Sequence, residues 1–217
     1  MKKIRRQEIT NKKNTKTFKP KLSIIVILLV LFFLFNFTIS AVSADKSTIY
    51  VNDSSGNDSW DGEYQEWLSG TINGPKKSIK NAIETVNDKG VVHIANGVYT
   101  GENNTNIVID KNVTIIGESQ EGTIIDAQKS AQIFNVNPYL VYNMDVKIQN
   151  LTLINGTADN GGAIYNLYGT LTVEDCTFIG NTATTNGGAI NNNINGNCII
   201  TGSTFINNSA GLGGGPI

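Results

Sequence analysis

Gly161-Gly162-Ala163-Ile164 is the first of three copies, followed by Gly187-Gly188-Ala189-Ile190 and, altered, by Gly214-Gly215-Pro216-Ile217. The copies stand 26 and 27 residues apart. Between them runs a second phrase, Thr177-Phe178-Ile179-Gly180-Asn181, which returns 27 residues later as Thr204-Phe205-Ile206-Asn207-Asn208. A period in this range marks a solenoid, in which each unit buries its apolar face only against its neighbours. The repeat is rich in Gly, Asn, Thr, Val and Ile and poor in Ala, Leu, Glu and Lys, which favours strands and tight turns over helical hairpins. The run Leu171-Thr172-Val173-Glu174-Asp175-Cys176 lacks the dense leucine ladder of a leucine-rich repeat. The reading that survives is an all-β fold, a parallel β-helix.

Laying coil on coil predicts which side chains share a column. Ile115, Leu153, Phe178 and Phe205 form one; Val113, Leu151, Cys176 and Ser203 a second; Ile148, Val173 and Ile200 a third. Each alternates with Thr, Asp, Glu or Gln, as expected when every second side chain points inward. Stacked strands place like residues about 4.8 Å apart, so Phe178 is expected on Phe205. The interval from Ile115 to Leu153 is 38 residues, and the excess is assigned to a loop thrown out at residues 137–143.

Residues 1–44 stand apart from this pattern. Nine Lys or Arg against one Glu precede an apolar run over residues 22–35, and Val42-Ser43-Ala44 offers small residues for cleavage. The segment reads as a signal peptide cut after Ala44; the alternative is an uncleaved N-terminal membrane anchor, since residues 22–42 are long enough to span a bilayer. Either way the basic end stays inside, the remainder is exported, and any membrane contact is through this segment. Removing it takes nine of the 17 Lys and Arg and one of the 18 Asp and Glu, leaving 8 basic and 17 acidic groups, net −9. Such a surface argues against nucleic acid and anionic lipid as partners.

The exported part divides into residues 45–90, with a strand, a loop and a helix, and residues 91–217, with the coils. Asp53, Asp58 and Asp61 lie in the turn-rich loop and are candidate calcium ligands; the competing reading is that such side chains cap their own turns. Calcium aside, no cofactor is expected. Ile79, Ala82, Ile83 and Val86 mark an amphipathic helix, N-capped by Ser78, stopping near Gly90 and suited to covering the open first coil. Short strands follow at 91–94, 98–99, 107–109, 113–116 and 123–125. The lone His93 reads as structural. The Asn-rich bends, such as residues 191–197, read first as ladders of stacked amides. Cys176 falls over Ser203 and Cys198 over Leu171, too far apart along the coil for a bridge, so two buried thiols are expected. The last coil is barely begun at residues 213–217, and the chain is read as the N-terminal part of a longer protein.

Gly-Gly-Ala-Ile together with Phe178-Ile-Gly-Asn181 and Phe205-Ile-Asn-Asn208 resembles the polymorphic outer-membrane protein repeat of microbial surface adhesins. The stretch from Ile49-Tyr50-Val51 through Asp61-Gly62, Gly74-Pro75 and Gly97-Val98-Tyr99 resembles the N-terminal part of pectin-lyase-like β-helix proteins. The combination is similar to adhesin-like surface proteins of methanogenic archaea. The resemblance marks Gly161, Gly162, Ala163, Ile164, Phe178, Asn181, Gly187, Gly188, Ala189, Ile190, Phe205 and Asn208 as structural residues of the repeat. It implies a right-handed helix, a cell-surface location, and attachment to cells through a glycan or protein ligand. Pro216 in place of Ala departs from the pattern.

Two alternatives stand beside a non-catalytic adhesin: a polysaccharide lyase or hydrolase of the same fold, and a purely structural stalk. Against the enzyme, residues 45–217 contain no Arg, and Glu174-Asp175 aligns with Gln149-Asn150 and Thr201-Gly202, not with a second acidic pair. Polar rows on the outer faces, with Asn160 and Asn186 at the bends, are the expected binding surface. Seven Asn-x-Ser/Thr triplets, at Asn52, Asn57, Asn103, Asn112, Asn150, Asn155 and Asn207, permit N-glycosylation; Asn112 and Asn150 are read as matching strand positions and hence the poorer acceptors.

Overall fold

The computed structural model describes residues 45–193, 196–212 and 215. The signal peptide or anchor at residues 1–44, and Gly214, Pro216 and Ile217 of the third copy, lie outside the described residues.

The fold is an all-β parallel solenoid. Successive coils contribute strands to four sheets that run along its length, and among the described residues every strand pairing is parallel. Sheet I holds six strands: Thr48–Val51, Gly90–Ile94, Val113–Gly117, Asp145–Gln149, Gly169–Glu174 and Gly196–Thr201. Sheet II holds Gly97–Tyr99, Thr123–Asp126, Thr152–Ile154, Thr177–Ile179 and Thr204–Ile206. The short sheet III (Thr157–Asn160, Thr182–Asn186, Ser209–Ala210) and sheet IV (Ile107–Ile109, Phe134–Val136, Ile164–Asn166, Ile190–Asn192) complete the circuit.

Turning from one sheet to the next within a few residues requires left-handed backbone at fixed places in the coil. Asn150, Asp175 and Gly202 stack at the corner from sheet I to sheet II with φ of 54°, 49° and 58°. Asn155, Gly180 and Asn207 follow sheet II with φ of 56°, 62° and 52°. These are the residue types that tolerate this conformation, so the corners are written in the sequence as Asn, Asp or Gly.

Inside, the third predicted column stands, running Ile49–Val92–Ile115–Ile148–Val173–Ile200. Phe178 lies on Phe205 with rings 4.8 Å apart and 3° from parallel. Two assignments in the early coils are corrected. Ile115 belongs to this third column, and the residue beneath Leu153 is Ile125, itself on Tyr99. Val113 belongs with Val146, Leu171 and Cys198, whereas Leu151, Cys176 and Ser203 stack after sheet I. For the same reason Asn112 and Asn150 do not match. Asn112 precedes a sheet I strand and accepts from the Asp145 amide, while Asn150 turns the corner after one. The loop falls where expected, across residues 137–144, with a smaller excess than the misaligned 38-residue interval suggested.

The first coil is closed by two elements. Helix α1, Ile79–Thr85, buries Ile79, Ala82 and Ile83 against the first strands and ends at Val86, short of Gly90. Lys111 Nζ donates to the Ile83 and Val86 carbonyls, satisfying groups that a helix end leaves open. The outer edge of Thr48–Val51 is covered by the loop itself: the Tyr50 amide donates to Gly62, Lys76 to Tyr50, and Asn52 to Lys76. Ser78 occupies the N-cap position but makes no side-chain cap hydrogen bond. Asn104 Oδ1 instead accepts the amide of Ile79, the first helical residue, while Asp58 fixes the chain entering the helix by accepting the Lys77 and Ser78 amides at 2.9 Å.

Candidate functional site

The repeated motifs are first of all the joints of the coil. Gly161 and Gly187 take φ of 62° and 60°. Gly162 follows with no room for a side chain: a Cβ there would lie 2.3 Å from the Gly188 carbonyl oxygen and 2.6 Å from that of Thr182. Ala163 and Ala189, then Ile164 and Ile190, are fully buried, and the Ala163 and Ile164 amides both donate to the Ala189 carbonyl. One coil earlier there is no Gly-Gly, and Gln132 instead donates its amide to the Asn160 and Gly161 carbonyls.

The Phe-x-x-Asn phrase supplies the second joint. Phe178 fills the core, and Asn181 is fully buried three residues on. Its Oδ1 accepts the Gly156 amide at 2.7 Å, and its Nδ2 donates to the Leu153 carbonyl and to Asn208 Oδ1. Asn208 repeats the pattern one coil later, accepting the Asn181 amide and donating to the Phe178 carbonyl. Each asparagine thus pairs backbone groups of the coil before it that the corner leaves without sheet partners.

Outside these joints, like polar residues fall on like. On sheet III, Thr157, Thr182 and Ser209 share a row, and Asn186 Nδ2 donates to Asn160 Oδ1 at 3.2 Å. On sheet I the rows are Asp145–Thr170–Asn197, Lys147–Thr172–Ile199 and Gln149–Glu174–Thr201. Glu174 is held from the preceding strand, 2.9 Å from Lys147 Nζ and 2.6 Å from Gln149 Nε2. Asp175 sits at the left-handed corner. The sequence signal that would have found the Lys147–Glu174 pair is the 25-residue shift between Gln149 and Glu174, which sets Lys147 diagonally opposite.

Near the closed end, Tyr50 and His93 stack on adjacent strands with ring centroids 5.5 Å apart. Both line a cleft of about 330 Å³ together with Asn52, Gln65, Glu66 and Glu118. Burial pushes the His93 imidazole below its ordinary range, favouring the neutral ring. Sequence reading placed His93 on its strand and missed the cleft, because Gln65, Glu66 and Glu118 reach it from other coils.

Of the three calcium candidates, Asp58 and Asp61 face amide donors. Besides the Lys77 and Ser78 amides, Asp58 accepts the Ser78 hydroxyl, and Asp61 accepts the Glu63 and Gly74 amides at 3.1 Å. Among the described residues no three His, Cys, Asp or Glu side chains gather as a metal-holding group, and Asp53 does not complete one. Lys76 is nearly buried in the same loop and donates to the Asp58 and Trp60 carbonyls, with burial lowering its pKa despite Asp58 nearby. Both cysteines are free thiols. Cys176 is buried, which pushes its pKa up to about 12, whereas Cys198, expected to be buried, is only partly covered.

Comparison with known proteins adds one finding. Residues 175–193 match the model of the Chlamydia polymorphic membrane protein (Chlamydia_PMP) repeat. The matched stretch contains Phe178, Asn181 and the second Gly-Gly-Ala-Ile, so it spans both joints. No curated protein matches the chain, and no solved structure does.

Proposed function

We propose that this is an exported, cell-surface, adhesin-like protein: a non-catalytic β-helix that presents a polar surface for attachment to cells through a glycan or protein ligand. The observation that carries the reading is the copying of outward rows from coil to coil, Thr157–Thr182–Ser209 and Asn160–Asn186 among them, at the spacing of adjacent strands. Rows of hydroxyl and amide groups offer the same hydrogen-bonding pattern several times over, and repetition raises avidity without any single strong site. The polymorphic membrane protein repeat match at residues 175–193 supports the surface location. The likeness to methanogen adhesin-like proteins, drawn from the paired motifs, belongs to the same proposal, as do export through residues 1–44 and the absence of nucleic-acid partners.

What supports a non-catalytic role is the state of the acidic groups on the repeating coils. Glu174 is paired with Lys147 and accepts a hydrogen bond from Gln149, and its column neighbours are Gln149 and Thr201, so no second carboxylate faces it across a bond. The test is display of the full chain, with its own residues 1–44, on a non-adherent cell. Attachment to glycan-coated surfaces and to whole cells is expected, with no release of unsaturated or reducing sugar ends. Release of such ends would establish the enzyme instead, and surface display without attachment would leave the stalk.

A further inference from the structure

One coil departs from its neighbours. Between Phe134–Val136 and Asp145–Gln149 the chain passes through residues 137–144, where the coils on either side need only 110–112 and 167–168. The excursion has a built base. Asn137 is fully buried, its Oδ1 accepts the Val141 amide, and its Nδ2 donates to the Val141 and Tyr168 carbonyls at 2.9 and 2.8 Å. Asn137, Leu140 and Asn143 take left-handed φ of 54°, 58° and 53°. A leucine accepts that conformation only where its surroundings over-determine it. Insertions of this kind, set on a regular scaffold, are where binding residues concentrate.

The insertion holds out tyrosine. Tyr139 is 68% exposed and Tyr142 76%. The Tyr142 ring lies 6.5 Å from that of Tyr168, tilted by 34°. Tyr168 in turn lines a cleft of about 440 Å³ with Asn143, Asp145, Thr170 and Asn197. Aromatic faces beside a concave set of carboxylate, amide and hydroxyl groups suit a sugar ring, which has apolar C–H faces and hydroxyls around its edge. Of the insertion only Asn143 lines the cleft among the described residues, and Tyr142 adjoins it through its ring contact with Tyr168. Among the described residues lining it there is no Lys or Arg to pair with an acidic sugar, and Asp145 would repel one. Lys89 and Lys147 line a neighbouring depression, and Lys147 is already held by Glu174.

We propose that the Tyr142–Tyr168 pair and the adjoining cleft form a binding site for neutral or amino-sugar oligosaccharides. This rests on the reading of the chain as a surface attachment protein and names one place where attachment occurs.

The test uses the purified full chain in mild detergent on an array carrying cellotriose, chitotriose, lactose, trigalacturonate and sialyllactose. Retention of at least one of the first three, and not of the two acidic probes, is expected. Tyr142→Ala and Asp145→Asn should each weaken that binding about tenfold, whereas a Leu140→Ser/Val141→Ser variant should bind as the parent. Because Tyr142 is largely in solvent, its truncation should leave the thermal unfolding midpoint unchanged, so lost binding is not lost fold. The proposal is overturned if no neutral probe is retained, if the acidic probes bind better, or if Tyr142→Ala binds as the parent. Loss of cell attachment through Leu140→Ser/Val141→Ser alone would indicate a protein partner and would also overturn it. Measuring cell attachment with the same variants separates the two readings. Cells that attach equally well with Tyr142→Ala defeat the sugar site and leave the adhesin, while tyrosine-dependent oligosaccharide binding without cell attachment does the reverse.

Discussion

The closed first coil and the repeating coils after Asp145 solve the same problem by different chemistry. Both must pair backbone groups left over where a strand ends or an edge is exposed. The first coil does so with side chains used once: Asp58 on the two amides entering the helix, Asn104 on Ile79, and Lys76 threaded among the loop carbonyls. The later coils do so with one device copied, a glycine too crowded for a side chain and an asparagine pairing the coil before it. The difference teaches where the fold is brittle. A copied device fits only its neighbouring copy, whereas a one-off cap can be weakened without disturbing the stack.

Gly162→Val breaks the comparison hardest. Its Cβ would meet two carbonyl oxygens of the next coil, neither of which can move without opening sheet pairing. A loss of about 3 kcal/mol or more is expected, read by chemical denaturation. Gly180→Asn should be nearly neutral, because Asn155 and Asn207 occupy the same left-handed place in the adjacent coils.

Asn181→Ala comes next. It leaves the Gly156 amide and the Leu153 carbonyl unpaired in a fully buried setting, for a cost of about 2–3 kcal/mol. Asn208→Ala removes equivalent bonds at a half-exposed position, where water can substitute, and should cost less. Equal losses would mean that burial is not what makes the ladder strong.

Asp58→Ala tests the one-off cap, with an expected loss of about 1–2 kcal/mol. Amide hydrogen exchange should quicken in Ile79–Thr85 while the strands after Asp145 keep their protection.

The smallest effect concerns His93. Its pKa is lowered in the folded chain from an ordinary 6.5, so the unfolded chain takes up the proton first. Stability is therefore greater above that value and falls as pH drops through the lowered one. Replacing His93 with Gln should flatten the slope of stability between about pH 7 and 5, and an unchanged slope would assign it to other groups.

Legibility in the sequence followed the repeats. Phe178 on Phe205, and Ile148 beneath Val173 and Ile200, were readable because Gly-Gly-Ala-Ile and Phe-x-x-Asn fix the register of those coils. In the earlier coils neither motif is present. There the alternation of apolar and polar residues says which side chains point inward but not where along the coil a strand falls, so the sequence sets Val113 at the corner after sheet I and Ile115 on sheet II, each beyond its true column. The asparagines were read as ladders, yet the division of labour between the outer pair Asn160–Asn186 and the buried Asn181 needed the coordinates. Cys198 was placed correctly over Leu171 but was expected to be more covered than it is.

The sequence by itself determined the solenoid, its period and its parallel stacking, because every coil meets a near copy of itself and the contacts therefore recur along the chain. Only the tertiary structure decided the register of the early coils, the corners, the sealing of the first strand by Gly62 and Lys76, the Tyr50–His93 cleft and the meeting of Tyr142 with Tyr168 beside the cleft of Asp145 and Asn197. Those contacts join residues from different coils that occur once each, and a pair that occurs once leaves no period to read.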